Sequence, residues 1–92
     1  MKGIADWALL PLDAARWVVL ALSFGAQKHS RYGWQDVPEG EEVFTSKLLG
    51  HLAAWRAGER LDAESGLPHL AHMAANALFV VWHALCKKEA AK

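Results

Sequence analysis

Residues 66–88 read GLPHLAHMAANALFVVWHALCKK, and this stretch decides the fold. Pro68 suits the first turn of a helix, because that position needs no backbone N–H. Ser65 stands just before the stretch and is a favoured N-cap residue. The residues that follow are mostly good helix formers or large apolar side chains, which predicts a helix over about 66–88.

A second helical stretch lies near the N-terminus. Pro11 suits a first helical turn, and Asp13 favours the positive end of the helix dipole. Apolar side chains then recur at spacings of three and four as far as Lys28, whose charge suits a helix C-terminus. This pattern predicts a helix over about 11–29.

Residues 30–40 separate this helix from the next one. They combine turn-forming residues and aromatics without a helical period, which predicts an ordered loop anchored by Trp34. A pair of glutamates then favours the start of a helix over about 41–57, and Gly58 supplies its stop.

The predicted class is therefore all-α, as a single domain over residues 1–92 with a flexible tail at 89–92. Short connections make consecutive helices antiparallel neighbours in a bundle. Hydrophobic residues make up 53% of the chain and five are tryptophan, which is more than one small core hides easily. We expect self-association, as a homodimer or homotetramer, to complete the bundle.

The charge balance excludes some partners. Ten Lys and Arg offset ten Asp and Glu without long runs of one sign, which argues against nucleic acid and anionic membranes as partners. Cys86 is the one cysteine, so no intrachain disulfide forms, and a reducing compartment fits. The N-terminus lacks a leader pattern, and the charges and histidines of the later segments argue against a membrane span, so we expect a soluble cytoplasmic protein.

Histidines concentrate on one face of the third predicted helix. At about 100° per residue, His69, His72, Asn76 and His83 fall within roughly one quarter of the circumference. This face either lines a site or meets water. The opposite face is predicted to be the core face and carries Leu70, Ala74, Ala77, Leu78 and Val81.

Three carboxylates precede these histidines. Glu59, Asp62 and Glu64 stand immediately before the third helix, where all three can approach one point near its N-terminus. Together with His69 and His72 they suit a divalent ion such as manganese or zinc, or a phosphate group, whereas magnesium prefers oxygen ligands. The alternative is that the carboxylates complement the helix dipole and pair with surface arginines.

Another strip of candidate residues lies on the second helix. Lys47, His51 and Trp55 are four residues apart, which places a cation, an imidazole and a flat aromatic on one side. Tryptophan can stack on a base and lysine can meet phosphate, so the strip is a candidate nucleotide site. Trp55 as a packing residue is the alternative. The sequence lacks a nucleophile elbow and a glycine-rich phosphate loop, which argues against covalent catalysis.

The order and spacing of several short motifs resemble those of a known family. The motifs are Leu9-Leu10-Pro11, SFGAQKH at 23–29, Trp34, HLAAW at 51–55, Gly58-Glu59, Asp62, ESGL at 64–67, HLAH at 69–72 and NALF at 76–79. They are similar to those of short phage and prophage proteins classed with dATP/dGTP diphosphohydrolases. Through that family the chain resembles the all-α MazG-like nucleoside triphosphate pyrophosphohydrolases.

The resemblance implies an oligomeric helical bundle that uses a divalent metal, magnesium or manganese, to hydrolyse a purine deoxynucleoside triphosphate to a monophosphate and pyrophosphate. The implied catalytic residues are Glu59, Asp62 and Glu64. The implied metal ligands are Asp62, Glu64, His69 and His72. The implied nucleotide-binding residues are Lys28, Trp34, Lys47, His51, Trp55, His69 and Asn76.

The chain departs from the MazG-like pattern at one point. Those enzymes carry acidic pairs on two adjacent helices, whereas the third helix here offers His69, His72 and Asn76. Fewer carboxylates hold magnesium less well. A second hypothesis is therefore a phage protein that binds and sequesters a nucleotide-derived immune signal without hydrolysing it. A third is a structural module whose Trp and His residues make subunit contacts.

Overall fold

The computed structural model describes residues 3–87, and all regular structure in that range is helical apart from one isolated bridge. The all-α class is confirmed. The main helices are α1 (Leu12–Lys28), α2 (Gly40–Arg56) and α3 (His69–Val81), with 3₁₀ turns at Trp7–Leu9 and Gly33–Asp36 and a π-helical turn at Trp82–Cys86 that continues α3. The predicted helix end at Lys88 and the predicted tail at 89–92 lie outside the described residues.

The ends of α1 and α2 lie within one residue of their predicted positions. Pro11 is the N-cap of α1 rather than its first residue. Gly58 ends α2 as predicted, because its φ of 103° lies in the left-handed region that glycine tolerates best. The N–H of Glu59 donates to the carbonyl of Ala54 at 3.0 Å, and the N–H of Gly58 donates to that of Trp55 at 3.1 Å, the pattern of a Schellman cap.

The predicted start of the third helix at Gly66 is wrong, since α3 begins at His69. Residues 60–69 form a narrow hairpin-like loop, in which the N–H of His69 donates to the carbonyl of Arg60 at 2.9 Å. Gly66 has a φ of 74°, which is incompatible with a helix. Ser65 therefore caps no helix, and its side chain bonds within the loop instead.

Helix α3 is the centre of the fold, because both α1 and α2 pack against it while making few contacts with each other. Ala21 of α1 meets Ala71 and Ala75 of α3, and all three are buried. Their small side chains let the two backbones approach closely. Since α1 and α2 diverge on either side of α3, a cleft opens between them.

The predicted core face of α3 is wrong. Leu70, Leu78 and Val81 are 46%, 52% and 48% exposed, whereas His69 and Asn76 are 4% and 7% exposed. The polar face points inward because its polar groups find partners there. The His69 side chain, for example, lies 2.7 Å from the His51 ring of α2 and 2.8 Å from the Glu59 carboxylate. Buried polar groups are tolerated when they are hydrogen-bonded in this way.

Aromatic side chains join the loop at 30–37 to the end of α3. The Trp34 ring stacks on Phe79, with centroids 4.4 Å apart, and meets Trp82 edge-on at 5.0 Å. The carbonyl of Trp34 accepts a hydrogen bond of 2.9 Å from Nε2 of His83. The prediction that Trp34 anchors this loop is confirmed by these contacts.

One helical stretch, His69–Cys86, has the length and apolar composition of a membrane span. A single stretch of this kind is weak evidence, because core helices of soluble proteins have the same composition. Here the stretch carries His69 and His72, which contact the loop before it and the helices beside it.

We predict opposite effects for alanine at two glycines of α2. A Cβ added at the buried Gly40 would collide with the His83 ring, whereas a Cβ at Gly50 would meet nothing within 4 Å. Gly40→Ala should therefore lower the free energy of unfolding by about 1–3 kcal/mol. Gly50→Ala should raise it by about 0.5–1 kcal/mol through helix propensity. Urea unfolding of both variants tests this, and equal shifts would contradict the contact with His83.

Candidate functional site

The cleft between α1 and α2 has α3 as its floor and a volume of about 550 Å³. Its lining combines aromatic, cationic, imidazole and carboxylate side chains. These are Phe24, Tyr32, Trp34, Phe44 and Phe79, then Lys28, Arg31 and Lys47, then His29, His51 and His72, and finally Asp62 and Glu64. A cleft of this size accommodates a small molecule the size of a nucleotide.

Three histidines meet at one end of the cleft. His51 reaches across from α2, and its Nδ1 lies 2.7 Å from Nδ1 of His69. The His51 and His72 rings are stacked, with centroids 4.9 Å apart and planes 13° from parallel. Nε2 of His69 lies 2.8 Å from the Glu59 carboxylate, which is on the side away from His51. The sequence placed His51 and His69 on different helices, and the fold brings them into contact.

The loop before α3 supplies the carboxylate next to these rings. Oδ2 of Asp62 accepts hydrogen bonds of 2.9 Å from both the backbone N–H and the hydroxyl of Ser65. The Ser65 oxygen also lies 2.6 Å from Nε2 of His72. Ser65 thus links the carboxylate to the imidazole and fixes the position of both.

A second carboxylate stands at the rim of the cleft. Glu64 accepts hydrogen bonds of 2.7 and 2.8 Å from Nζ of Lys28, across the gap between the loop and α1. The two side chains are 57% and 43% exposed, so this ion pair is worth about 1 kcal/mol or less. An anion such as a phosphate can therefore compete for Lys28.

Most residues predicted to form the site are brought together by the fold. Lys28, Trp34, Lys47, His51, Asp62, Glu64, His72 and Asn76 line the cleft. Glu59 and His69 lie behind its wall, in contact with each other. Trp55 lies apart from the cleft, with the Arg60 guanidinium 4.8 Å from its ring centroid, which matches the alternative of a packing residue.

Some lining residues were missed by the sequence analysis. Phe24, Phe44 and Tyr32 form the aromatic walls, and Arg31 adds a cation. They lacked a sequence signal, because which aromatic faces a cleft depends on how helices pack. Ser65 does not line the cleft but bonds to Asp62 and His72, and this role had one sequence signal, since a serine three residues after an aspartate is typical of a side-chain-bonded turn.

Burial and neighbouring charges shift three pKa values in the cluster. Burial lowers the pKa of His51 below its ordinary value, and the nearby His72 and His69 lower it further. Burial also lowers the pKa of His72, although Asp62 opposes this shift. For Asp62 burial acts to raise the pKa, but the two hydrogen bonds from Ser65, together with the nearby His72 and His51, outweigh it and the pKa is lowered. Near neutral pH the site therefore holds the neutral imidazoles of His51 and His72 beside the ionised carboxylate of Asp62.

We expect the metal-free protein to lose stability as the pH falls through 6.5, the ordinary histidine value. Because the pKa values of His51 and His72 are lowered on folding, the unfolded chain binds more protons just below that pH. The free energy of unfolding then decreases with decreasing pH. Melting temperatures in EDTA between about pH 7.5 and 5.5 measure this slope. His51→Gln should make this slope shallower, and identical slopes for the wild type and His51→Gln would contradict the assignment.

Three helices around an open cleft with aromatic, cationic and carboxylate lining define an all-α domain with a cleft of mixed apolar and polar lining. The sequence model of the dATP/dGTP diphosphohydrolase N-terminal family matches residues 1–92, the whole chain. The chain therefore belongs to this family, in agreement with the resemblance of its motifs. No match was found among curated proteins or among solved structures.

Proposed function

We propose that the cleft binds a purine deoxynucleoside triphosphate and, with a divalent metal, hydrolyses it to a monophosphate and pyrophosphate. One observation carries the proposal. A single cleft of about 550 Å³ presents aromatic walls suited to a base, cations suited to phosphates, and an imidazole and carboxylate cluster suited to a metal. Membership of a family named for dATP/dGTP diphosphohydrolases supports the same substrate class.

The position of each side chain in the cleft gives it a role in phosphate binding or in water activation. Lys47 on α2 and Lys28 on α1 both line the cleft and bind phosphate oxygens. When a phosphate of the nucleotide binds the Lys28 ammonium, it replaces Glu64 in the ion pair, and the freed Glu64 carboxylate orients a water molecule. The water oxygen bonds to the α-phosphorus, its proton passes to Glu64, and the bond to the bridging oxygen breaks so that pyrophosphate leaves with the electron pair.

The donor set near the carboxylates fits a divalent metal. Atoms of His51, Asp62 and His69 lie within 4.8 Å of one another. The lowered pKa values keep His51 neutral and Asp62 ionised, which are the forms that bind a cation. When bound, the metal neutralises the triphosphate and polarises the phosphorus under attack.

A second function is supported by a different observation. Among residues 3–87, the cleft is lined by only two carboxylates, and that of Glu64 is bonded to Lys28. A site with so little negative charge suits binding of an anionic nucleotide better than efficient hydrolysis. The alternative proposal is accordingly a phage protein that sequesters a nucleotide-derived immune signal intact.

One experiment separates the two functions. The purified protein is incubated with dATP, dGTP or dCTP and with manganese or magnesium, and the solution and the ligand released on denaturation are both analysed by mass spectrometry. Catalytic appearance of pyrophosphate with dAMP or dGMP supports the hydrolase. Intact nucleotide recovered at about one per site, without turnover, supports sequestration. The absence of both turnover and bound nucleotide, with zinc and cobalt tried as well as manganese and magnesium, would exclude both functions.

Nucleotide affinity should depend on Lys47. Removing a charged partner of a phosphate costs about 1.5–3 kcal/mol, so Lys47→Ala should weaken binding about tenfold or more. Arg16→Ala, at an exposed position outside the cleft lining, is the matched control and should bind as the wild type does. Calorimetric titration with a non-hydrolysable dGTP analogue measures both, and equal affinities would argue against phosphate binding at Lys47.

We also propose that the chain self-associates, as a homodimer or homotetramer. Its accessible surface is 7066 Å², whereas a monomer of its mass is expected to expose about 5,300 Å². The difference exceeds the roughly 800 Å² that each partner buries in a standard interface. The exposed Leu70, Leu78 and Val81 face of α3 and the exposed Trp7 and Leu9 provide apolar surface for it. Sedimentation equilibrium tests this, and a monomer at all concentrations would contradict it.

A further inference from the structure

We infer that His51, His69 and Asp62 form a nitrogen-rich metal site that takes zinc or cobalt in preference to magnesium. This deepens the proposed function, because it assigns the metal of the same cleft, but it concerns binding alone. Two imidazoles and one carboxylate make a donor set that favours borderline transition metals, whereas magnesium requires mostly oxygen ligands.

The positions of the three donors support the assignment. One nitrogen of each imidazole and one carboxylate oxygen all lie within 4.8 Å of one another. The two Nδ1 atoms are 2.7 Å apart, and two nitrogens around a tetrahedral zinc are about 3.3 Å apart. The two ring nitrogens therefore need to move apart by about 0.6 Å. Since His51 is only partly buried, it has room to make that movement.

Glu59 explains the orientation of the buried ligand. Its carboxylate accepts a hydrogen bond of 2.8 Å from Nε2 of His69, which places the proton there and leaves a lone pair on Nδ1 aimed at His51. Histidines that bind metals in proteins almost always donate their second N–H to such a partner. His69 is 4% exposed, so this arrangement is built into the interior and is not a surface contact.

The neighbouring candidates have other partners. Nε2 of His72 lies 2.6 Å from the Ser65 hydroxyl, and Glu64 is bonded to Lys28. Asp62 uses Oδ2 for Ser65, which leaves Oδ1 to face a cation. His51 therefore replaces His72 and Glu64 in the ligand set that the sequence predicted.

Zinc and cobalt titrations of the metal-free protein test the inference without nucleotide. Calorimetry should show one zinc per chain, and visible absorption should report cobalt bound by nitrogen ligands. Glu59→Gln should weaken zinc binding about 10- to 100-fold, and His69→Gln should weaken it more. Glu42→Gln, at an exposed position outside the cleft lining, is the matched control for Glu59→Gln and should bind zinc as the wild type does. Unchanged zinc affinity in His69→Gln and Glu59→Gln would overturn the site.

The preference over magnesium is tested by competition, in which a hundredfold excess of magnesium should fail to displace zinc. Displacement of zinc by magnesium would overturn the inferred metal preference. If His69→Gln does not fold, Glu59→Gln carries the test, because that side chain is 56% exposed. Zinc binding at the cluster without nucleotide hydrolysis would leave this inference standing and end the hydrolase proposal. If Glu59→Gln instead hydrolyses nucleotide with magnesium at the wild-type rate and binds zinc with unaltered affinity, the hydrolase proposal stands and the zinc site is overturned.

Discussion

Glu64→Gln is expected to lower kcat for dGTP hydrolysis about 10²- to 10⁴-fold, the range typical for loss of a general base. The amide cannot take a proton from water, and it cannot be held by Lys28 as the carboxylate is. The fold should survive, because Glu64 is exposed and its ion pair with Lys28 contributes about 1 kcal/mol or less. Initial rates of pyrophosphate release and the melting temperature together measure these two effects.

Glu42→Gln is the matched control for this substitution. Glu42 is exposed in the first turn of α2 and does not line the cleft. Its replacement should leave kcat unchanged and cost at most a few tenths of a kcal/mol in stability. Undiminished turnover in Glu64→Gln would remove this residue from the proposed chemistry and move the role of base to another group in the cleft.

Trp34→Ala is expected to destabilise the protein by about 2–3 kcal/mol, less than the roughly 3–5 kcal/mol for a fully buried tryptophan because Trp34 is half-buried, and this is a large part of the stability of so small a domain. The indole stacks on Phe79 and meets Trp82 edge-on, so the substitution removes the aromatic contacts that join the loop to the end of α3. The loop also carries Tyr32, which lines the cleft, so nucleotide binding should weaken together with stability.

The control for this substitution is Trp7→Ala. Trp7 is 83% exposed and lies in the first 3₁₀ turn, away from the cleft. Its removal should change the free energy of unfolding by about 0.5 kcal/mol or less in the monomer. Urea unfolding at low protein concentration compares the two variants. A loss below about 1 kcal/mol in Trp34→Ala would show that the aromatic cluster does not hold the loop.

Helix positions were largely predictable from local signals. Pro11 and Gly58 act on the backbone of their own segment, so the limits of α1 and α2 were placed within one residue. The start of α3 was misplaced because residues 66–68 pair with the chain at 60–62, and this contact overrides the helix propensity of the segment. Ser65 carried the N-cap signal, yet the same hydroxyl bonds to Asp62 and His72.

The composition of the candidate site was predictable in part. The carboxylates and histidines around α3 were recognised from their spacing, and the fold does bring Asp62 and His72 close together. The contact between His51 and His69 was not foreseeable, because it depends on how α2 crosses α3. Trp55 shares its helix face with His51, but its ring lies beside Arg60.

The sequence by itself determined that the chain is helical, where α1 and α2 begin and end, and which residue types are available for chemistry. These properties depend on local conformational preference and on periodicity, which any short segment expresses alone. Tertiary structure decided that the polar face of α3 turns inward, with His69 and Asn76 buried and Leu70 exposed. Periodicity separates a polar face from an apolar one, but which face is buried depends on the hydrogen-bond partners that other segments supply.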